Sequence, residues 1–256
     1  MLEMFVSGTT LIVITMIIFV ILELRFPAHT YPSALKMSSY LSNLAIFFFN
    51  TIVTFLISVG SVWLVAESLS VGFFDRVWGV NALLSLILGF LILELAIWFW
   101  HRLNHVIPLL WRFHQAHHSE RYLNASSALR FHIGELLLSV LFKSILIILT
   151  GLPLWVFFIH ETAITIFAIM HHANIKLPLR YSLLMSKVFI TPRMHYAHHS
   201  TVRSEHNSNY GVVFSWWDHI FGTVNRKIPE EIGLSYTKKY MFEDFLFMPV
   251  KKFSKK

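Results

Sequence analysis

The chain has 256 residues, 55% of them hydrophobic and only 14% charged; a soluble domain carries about a quarter charged residues, so the balance argues for a membrane protein and against an ordinary water-soluble globule. Cysteine is absent, which excludes disulfides, thiolate-bound metals, iron–sulfur clusters and cysteine nucleophiles. The net charge of +7 sits in loops and in the tail "KKFSKK" instead of a nucleic-acid stripe, so lipid head groups are the expected contact and nucleic acid is not a partner.

A helix that crosses a bilayer needs about 20 mostly apolar residues. Residues 5–24 supply the first; they lack a basic start and a small-residue cleavage site, and so read as an anchor and not a signal peptide. Residues 41–65 form a second span, and 80–100 a third that runs straight into His101. Residues 135–150 and 152–170 form a fourth and a fifth, with "TGLP" between them as a tight hairpin. Beyond His172 the chain turns mixed polar, aromatic and basic. The expected organisation is one integral-membrane unit: N-terminal spans in 1–78, a catalytic region in 79–223 and a basic tail in 224–256.

Lys and Arg set the orientation. With the N-terminus outside, the outer segments hold only Arg76, the loop between the first two spans holds Arg25 and Lys36, and all that follows span three lies inside apart from Lys143 in span four. The fold class expected is an all-α, multi-pass membrane protein of about four to five transmembrane helices, with a cytosolic, His-rich helical cap. Its small size favours a bacterial inner membrane, with the endoplasmic reticulum as the eukaryotic counterpart.

Fifteen histidines occur, and eight fall in three clusters. "HRLNH" contains His101 and His105; "HQAHH" contains His114, His117 and His118; "HYAHH" contains His195, His198 and His199. Residues at i, i+3 and i+4 share one helix face, so each cluster converges its imidazoles on one side. Thr191-Pro192 reads as an N-cap followed by proline at the first helical position. "RFHQAHHS" and "RMHYAHHS" agree at six of eight positions, which suggests two similar half-sites. Neutral imidazole is the commonest side-chain metal ligand. A single zinc uses about four ligands, so eight histidines fit two ions better than one. His172, where span five returns to the inner side, is a further candidate ligand; His132 and His171 are additional ones. His206 is a candidate for the lip of the site, while His29, His160 and His219 stand alone as structural histidines.

A metal-bound histidine needs its second ring nitrogen held by a partner. Candidates are Asn104, Asn124, Glu135, Asn174, Asn207, Asn209 and Asp218, together with Glu94, which lies two turns before His101 on the same face.

These boxes, with "MHHAN" and "NYGVVFSWWDHIFGT", resemble the fatty acid hydroxylase / sterol desaturase superfamily of membrane di-iron oxygenases; the similarity runs from span three to Thr223. The resemblance implies two histidine-held irons, O2 as co-substrate, and attack on an unactivated C–H bond of a membrane lipid, giving hydroxylation or desaturation. It carries ligand roles onto His101, His105, His114, His117, His118, His172, His195, His198 and His199, and leaves a tenth position to His132 or His171. Iron itself rests on the resemblance, because imidazole also suits zinc, copper and nickel. No GxG fingerprint and no haem-binding HPGG is present, so electrons are expected from a separate donor protein, docked on Arg112, Arg121, Arg193, Arg203, Arg226 and Lys227. The rival readings are a zinc-dependent membrane hydrolase, for which no HExxH is present, and a non-catalytic membrane protein that holds metal.

Overall fold

The stretches Val6–Arg25, Ala82–Val106, Ile133–Thr150 and Leu154–His172 are each long and apolar enough to cross a membrane. The computed structural model describes residues 2–58, 81–234 and 242–251. Among them the long helices are α1 (Leu2–Arg25), α2 (Ser33–Ser58), α3 (Ala82–Val106), α4 (Pro108–His118), α5 (Ile133–Thr150) and α6 (Leu154–His172), with a 3-10 turn at Ala125–Leu129. Short helices follow: α7 (Leu179–Met185), α8 (Pro192–His198), α9 (Arg203–His206), α10 (Trp216–Ile220) and α11 (Phe242–Phe247). The described residues form isolated β-bridges and no strands. The predicted second span begins inside α2; its residues 59–65, and Arg76, lie outside the described residues.

Local chemistry explains the helix ends. The Asn81 side chain accepts from Leu83 N at 2.8 Å and Leu84 N at 3.1 Å, satisfying two orphan donors at the start of α3. Gly151, at φ 61°, closes α5 in the left-handed conformation, and Pro153 precedes α6, so "TGLP" is the tight hairpin its sequence indicates. Thr191 Oγ1 accepts from Met194 N at 3.4 Å and Pro192 opens α8, as the sequence predicts.

Packing brings the cluster-bearing ends together. Helix α6 is the hub, with α1 on one side and α3 on another. The α3–α6 approach depends on Gly89, where an added Cβ would fall 2.9 Å from Val156 Cγ1. In lipid, such small-residue contacts drive helix association. At one end of the bundle the termini are cross-linked by polar bonds. Glu23 Oε2 accepts from Ala125 N and Asn174 N, each at 3.0 Å; Asn43 Nδ2 donates to Ser126 Oγ at 3.1 Å; Ser39 Oγ donates to Glu120 Oε2 at 2.7 Å. The C-termini of α1, α3 and α6 and the N-termini of α2 and α5 meet there, around α4 and α8.

Candidate metal centre

Nine histidines gather at this end in two groups. His101, His105, His114, His118 and His198 form one, and His117, His172, His195 and His199 the other, with the candidate nitrogens of each group within 4.8 Å of one another. All are buried except His101, which is partly so. The two HxxHH boxes are interleaved between the groups; they are not separate half-sites, which corrects the expectation from their similarity. Helical geometry gives the reason. At about 100° per residue, i+4 lies about 40° from i on one side, and i+3 about 60° on the other. His114 and His118 therefore face one group while His117 faces the second. His195 and His199 face that second group while His198 reaches back to the first. His101 and His105, also four apart, share a group.

Six rings are fixed through Nδ1. His101 donates to Tyr210 O at 2.8 Å, His117 to Arg130 O at 3.2 Å, His172 to Ala168 O at 2.7 Å and His198 to Ser208 O at 2.6 Å. His105 pairs with Asn207 Oδ1 at 3.3 Å and His114 with Glu135 Oε1 at 2.7 Å. A carbonyl only accepts, so each of these Nδ1 atoms carries the hydrogen. In a neutral ring Nε2 is then a bare lone pair. Yet His172 Nε2 lies 3.1 Å from His117 Nε2. Two lone pairs facing each other at that distance repel, unless a cation lies between them. The chain continues from His172 to His195 at 2.9 Å and from His195 to His199 at 3.1 Å. Nitrogens bound to one ion at about 2.0–2.1 Å stand about 2.9 Å apart at a right angle and about 3.3 Å apart at the tetrahedral angle. The observed spacings fall in this range. In the five-histidine group, Nε2 of His105, His114, His118 and His198 is buried without a hydrogen-bond partner. The residues present therefore fit two divalent cations.

Electrostatics agree. Burial, followed by the neighbouring imidazoles, holds His117, His118, His195, His198 and His199 well below the usual histidine range. The neutral, ligating form is thus the one present at neutral pH.

The profile of the fatty acid hydroxylase family matches residues 86–223, more than half of the chain and the whole of the span that carries these boxes up to α10. The chain belongs to the fatty acid hydroxylase family. It is 34% identical over 173 residues to the ornithine lipid hydroxylase OlsE of Rhizobium tropici, covering 67% of this chain and 51% of that protein. It is 30% identical over 166 residues to the alkylglycerol monooxygenase of Danio rerio, covering 63% and 36%. It is 28% identical over 159 residues to the cholesterol 25-hydroxylase of Mus musculus, covering 60% and 51%. The chain thus spans about half the length of these relatives, or less. No solved structure matches it.

Within this family member, the remaining candidate site residues fall into place individually. His132 is not at the centre: Nδ1 caps α5 by accepting from Gly134 N at 3.0 Å, and Nε2 bonds Leu246 O at 3.0 Å, so both nitrogens are used elsewhere. His171 lies against the second group, its ring centroid 4.0 Å from that of His195, but its nitrogens stand outside the four that converge. Glu94 does not touch a clustered histidine. Its carboxylate pairs with His160 Nε2 at 3.2 Å and accepts from Phe214 N at 3.1 Å, because the α3–α6 contact carries both side chains into the core. Asn104 is buried but bonds none of these rings. Asn174 instead ties the 26–29 loop to the end of α6, through His29 N and His29 O. Asn124 caps the 3-10 turn.

Asn209 and Asp218 act one step removed. Asn209 has φ 50° and bonds Met194 O and Asn225 O, so that the flanking Ser208 and Tyr210 carbonyls face His198 and His101. Asp218 receives Tyr210 N and Gly211 N, both at 2.8 Å, Trp98 Nε1 at 3.1 Å and Thr223 Oγ1 at 2.6 Å. Burial raises its carboxyl above the usual range, against the lowering by these donors. Glu135 and Asn207 hold rings directly. The other holders are main-chain carbonyls, which the sequence does not mark.

Proposed function

We propose that the protein is an O2-dependent hydroxylase of a membrane lipid that uses two iron ions, with the nine histidines of the two groups as ligands. The observation that carries this reading is the pair of bare Nε2 atoms of His117 and His172, held face to face by hydrogen bonds on their far sides. Bound there, two irons would supply O2 activation and attack on an unactivated C–H bond. The balance is C–H plus O2, two electrons and two protons, giving C–OH and water, with the electrons from an external donor protein. The chain's own part is to fix the rings through Nδ1, to keep them unprotonated by burial, and to exclude bulk water.

Hydroxylation is favoured over desaturation because the relatives are named hydroxylases and monooxygenases. A cytoplasmic site agrees with Arg25 and Lys36 at the cluster-bearing end, and with the family's lipid chemistry at a membrane surface. A zinc hydrolase is less well supported: neither group includes a carboxylate to act as base. The test is metal content together with turnover. Two irons per chain, and one labelled oxygen atom from O2 in a lipid product, would be expected. One zinc per chain with hydrolysed lipid would overturn the proposal.

A further inference from the structure

A cavity of about 340 Å³ opens beside the four-histidine group, walled by the 28–29 loop, the 173–179 segment and α8. Its floor includes the buried His171 and His172; its lip carries Lys176, which is exposed, and Arg193, which is partly exposed. The wall is preformed. Lys176 N donates to Phe26 O at 2.8 Å, Ala28 N donates to Asn174 O at 3.1 Å, and His29 stacks on Tyr196 with centroids 4.5 Å apart. The lining contains two cations and no carboxylate, and among the described residues neither cation has an ion-pair partner. Arg193 thus lines the cavity, whereas the sequence places it with the donor-docking cations.

The adjoining helix α7 exposes Leu179, Leu183 and Leu184, with the exposed cations Arg180 within it and Lys187 just beyond it. Apolar side chains flanked by bases are the pattern of a helix lying in a membrane interface. On that reading the lip would sit at head-group depth, while the floor includes His171 and His172. The size matches a small-molecule pocket, commonly about 300–1,000 Å³. Lys176 follows His172 by four residues and Arg193 precedes His195 by two. At no more than about 3.6 Å per residue, the two cations stand within about 14 Å and about 7 Å of those ligands along the backbone.

We propose that this cavity receives the anionic head group, a phosphate or carboxylate, of the lipid substrate, and that the oxidised carbon lies near that polar end and not at the far end of an acyl chain. The inference rests on the lipid-hydroxylase reading above.

The test is calorimetric binding to the purified full-length chain in detergent, with three probes: dioctanoyl phosphatidic acid, dioctanoylglycerol and inorganic phosphate. Phosphatidic acid is expected to bind about tenfold more tightly than dioctanoylglycerol, as charge-assisted bonds to two cations imply. Arg193→Gln and Lys176→Gln should each remove about three- to tenfold of that preference, leaving dioctanoylglycerol binding and the melting temperature unchanged, while Arg193→Lys should retain most of it. Equal binding of the two lipids, or unchanged preference in both Gln variants, would overturn the head-group site. Inorganic phosphate binding as tightly as phosphatidic acid would overturn the lipid assignment. A second arm supplies labelled O2 and reductant to the iron-loaded protein with phosphatidic acid. Label near the glycerol supports the proposal; label at the acyl methyl end refutes it. Cation-dependent lipid preference with no labelled product would sustain the head-group site and refute the hydroxylase reading alone.

Discussion

Replacing Glu135 by Gln isolates one outer support of the centre. Glu135 Oε1 lies 2.7 Å from His114 Nδ1, and the two side chains are only 6% and 3% exposed, so solvent screens the bond little. Glutamine keeps the shape and can still accept through its oxygen, but the charge is lost. A charged bond contributes about 1.5–3 kcal/mol against about 1 for a neutral one. The difference, about 0.5–2 kcal/mol, makes the His114 ring a weaker ligand. It corresponds to roughly 2- to 30-fold weaker metal binding, overlapping the lower end of the 10- to 100-fold seen for such supports. The second carboxylate oxygen is buried with no partner, so the new amide also carries an unsatisfied N–H in both metal-bound and metal-free protein, which lowers stability by about 1 kcal/mol and cancels in the affinity. The assay is a chelator titration of the purified protein with metal counted at each step. One metal per chain, that of the five-histidine group, should leave at correspondingly lower chelator concentration. A Glu135→Gln protein whose two metals leave at wild-type chelator concentrations would refute the reasoning.

His132→Ala should cost about 1 kcal/mol of stability through the lost helix cap, with the metal count unchanged; loss of a metal would return His132 to the ligand set. Asn209→Ala places an alanine at φ 50° and removes the bonds to Met194 O and Asn225 O. It should destabilise by about 1–3 kcal/mol and loosen His101 and His198, so that metal leaves the five-histidine group first, with Asn209→Gly milder in its backbone cost. The five buried histidines outside the spans have folded values depressed below about 6.5, so below that pH the unfolded chain binds more protons. Stability of the metal-free protein should be full above about pH 7 and fall as the pH drops from about 7 to 5; a melting temperature that rises as the pH is lowered over this range would contradict the assignment.

Four of the five spans and the histidine boxes were legible because both depend on spacing: apolar length for the first, the i, i+3, i+4 pattern for the second; the other span, 41–65, runs beyond the described residues. The all-α architecture and the convergence of His101 to His118 with His195 to His199 follow from these patterns alone. His172 was legible from its place at the end of a span. The division into groups was also present in the angles, since i+3 and i+4 diverge by about 100°, but similarity of the boxes suggested half-sites and masked it. The carbonyls of Arg130, Ala168, Ser208 and Tyr210 were not legible, because any residue supplies a carbonyl and only the fold aims it. Glu94 and His132 misled for a related reason. Their spacing from His101 and from α5 was right for the site, but tertiary neighbours, His160 and Leu246, claimed their polar atoms first.

The interleaving also sets a timetable. Four donors of the first group are contained within His101 to His118, yet its fifth is His198, and the second group needs His195 from the same short helix and His199 at its C-cap. About a hundred residues separate the first donor from the last. At roughly 5–20 residues per second, synthesis takes about 5–20 s to cover that distance. Through this interval both centres are incomplete, and His105, His114 and His118 are already made. The segment that carries α8 is thus a common closing piece: a chain stopped before His195 would have neither group of donors complete, so two metals held by all nine histidines would be fully enclosed only after the last of the boxes is made.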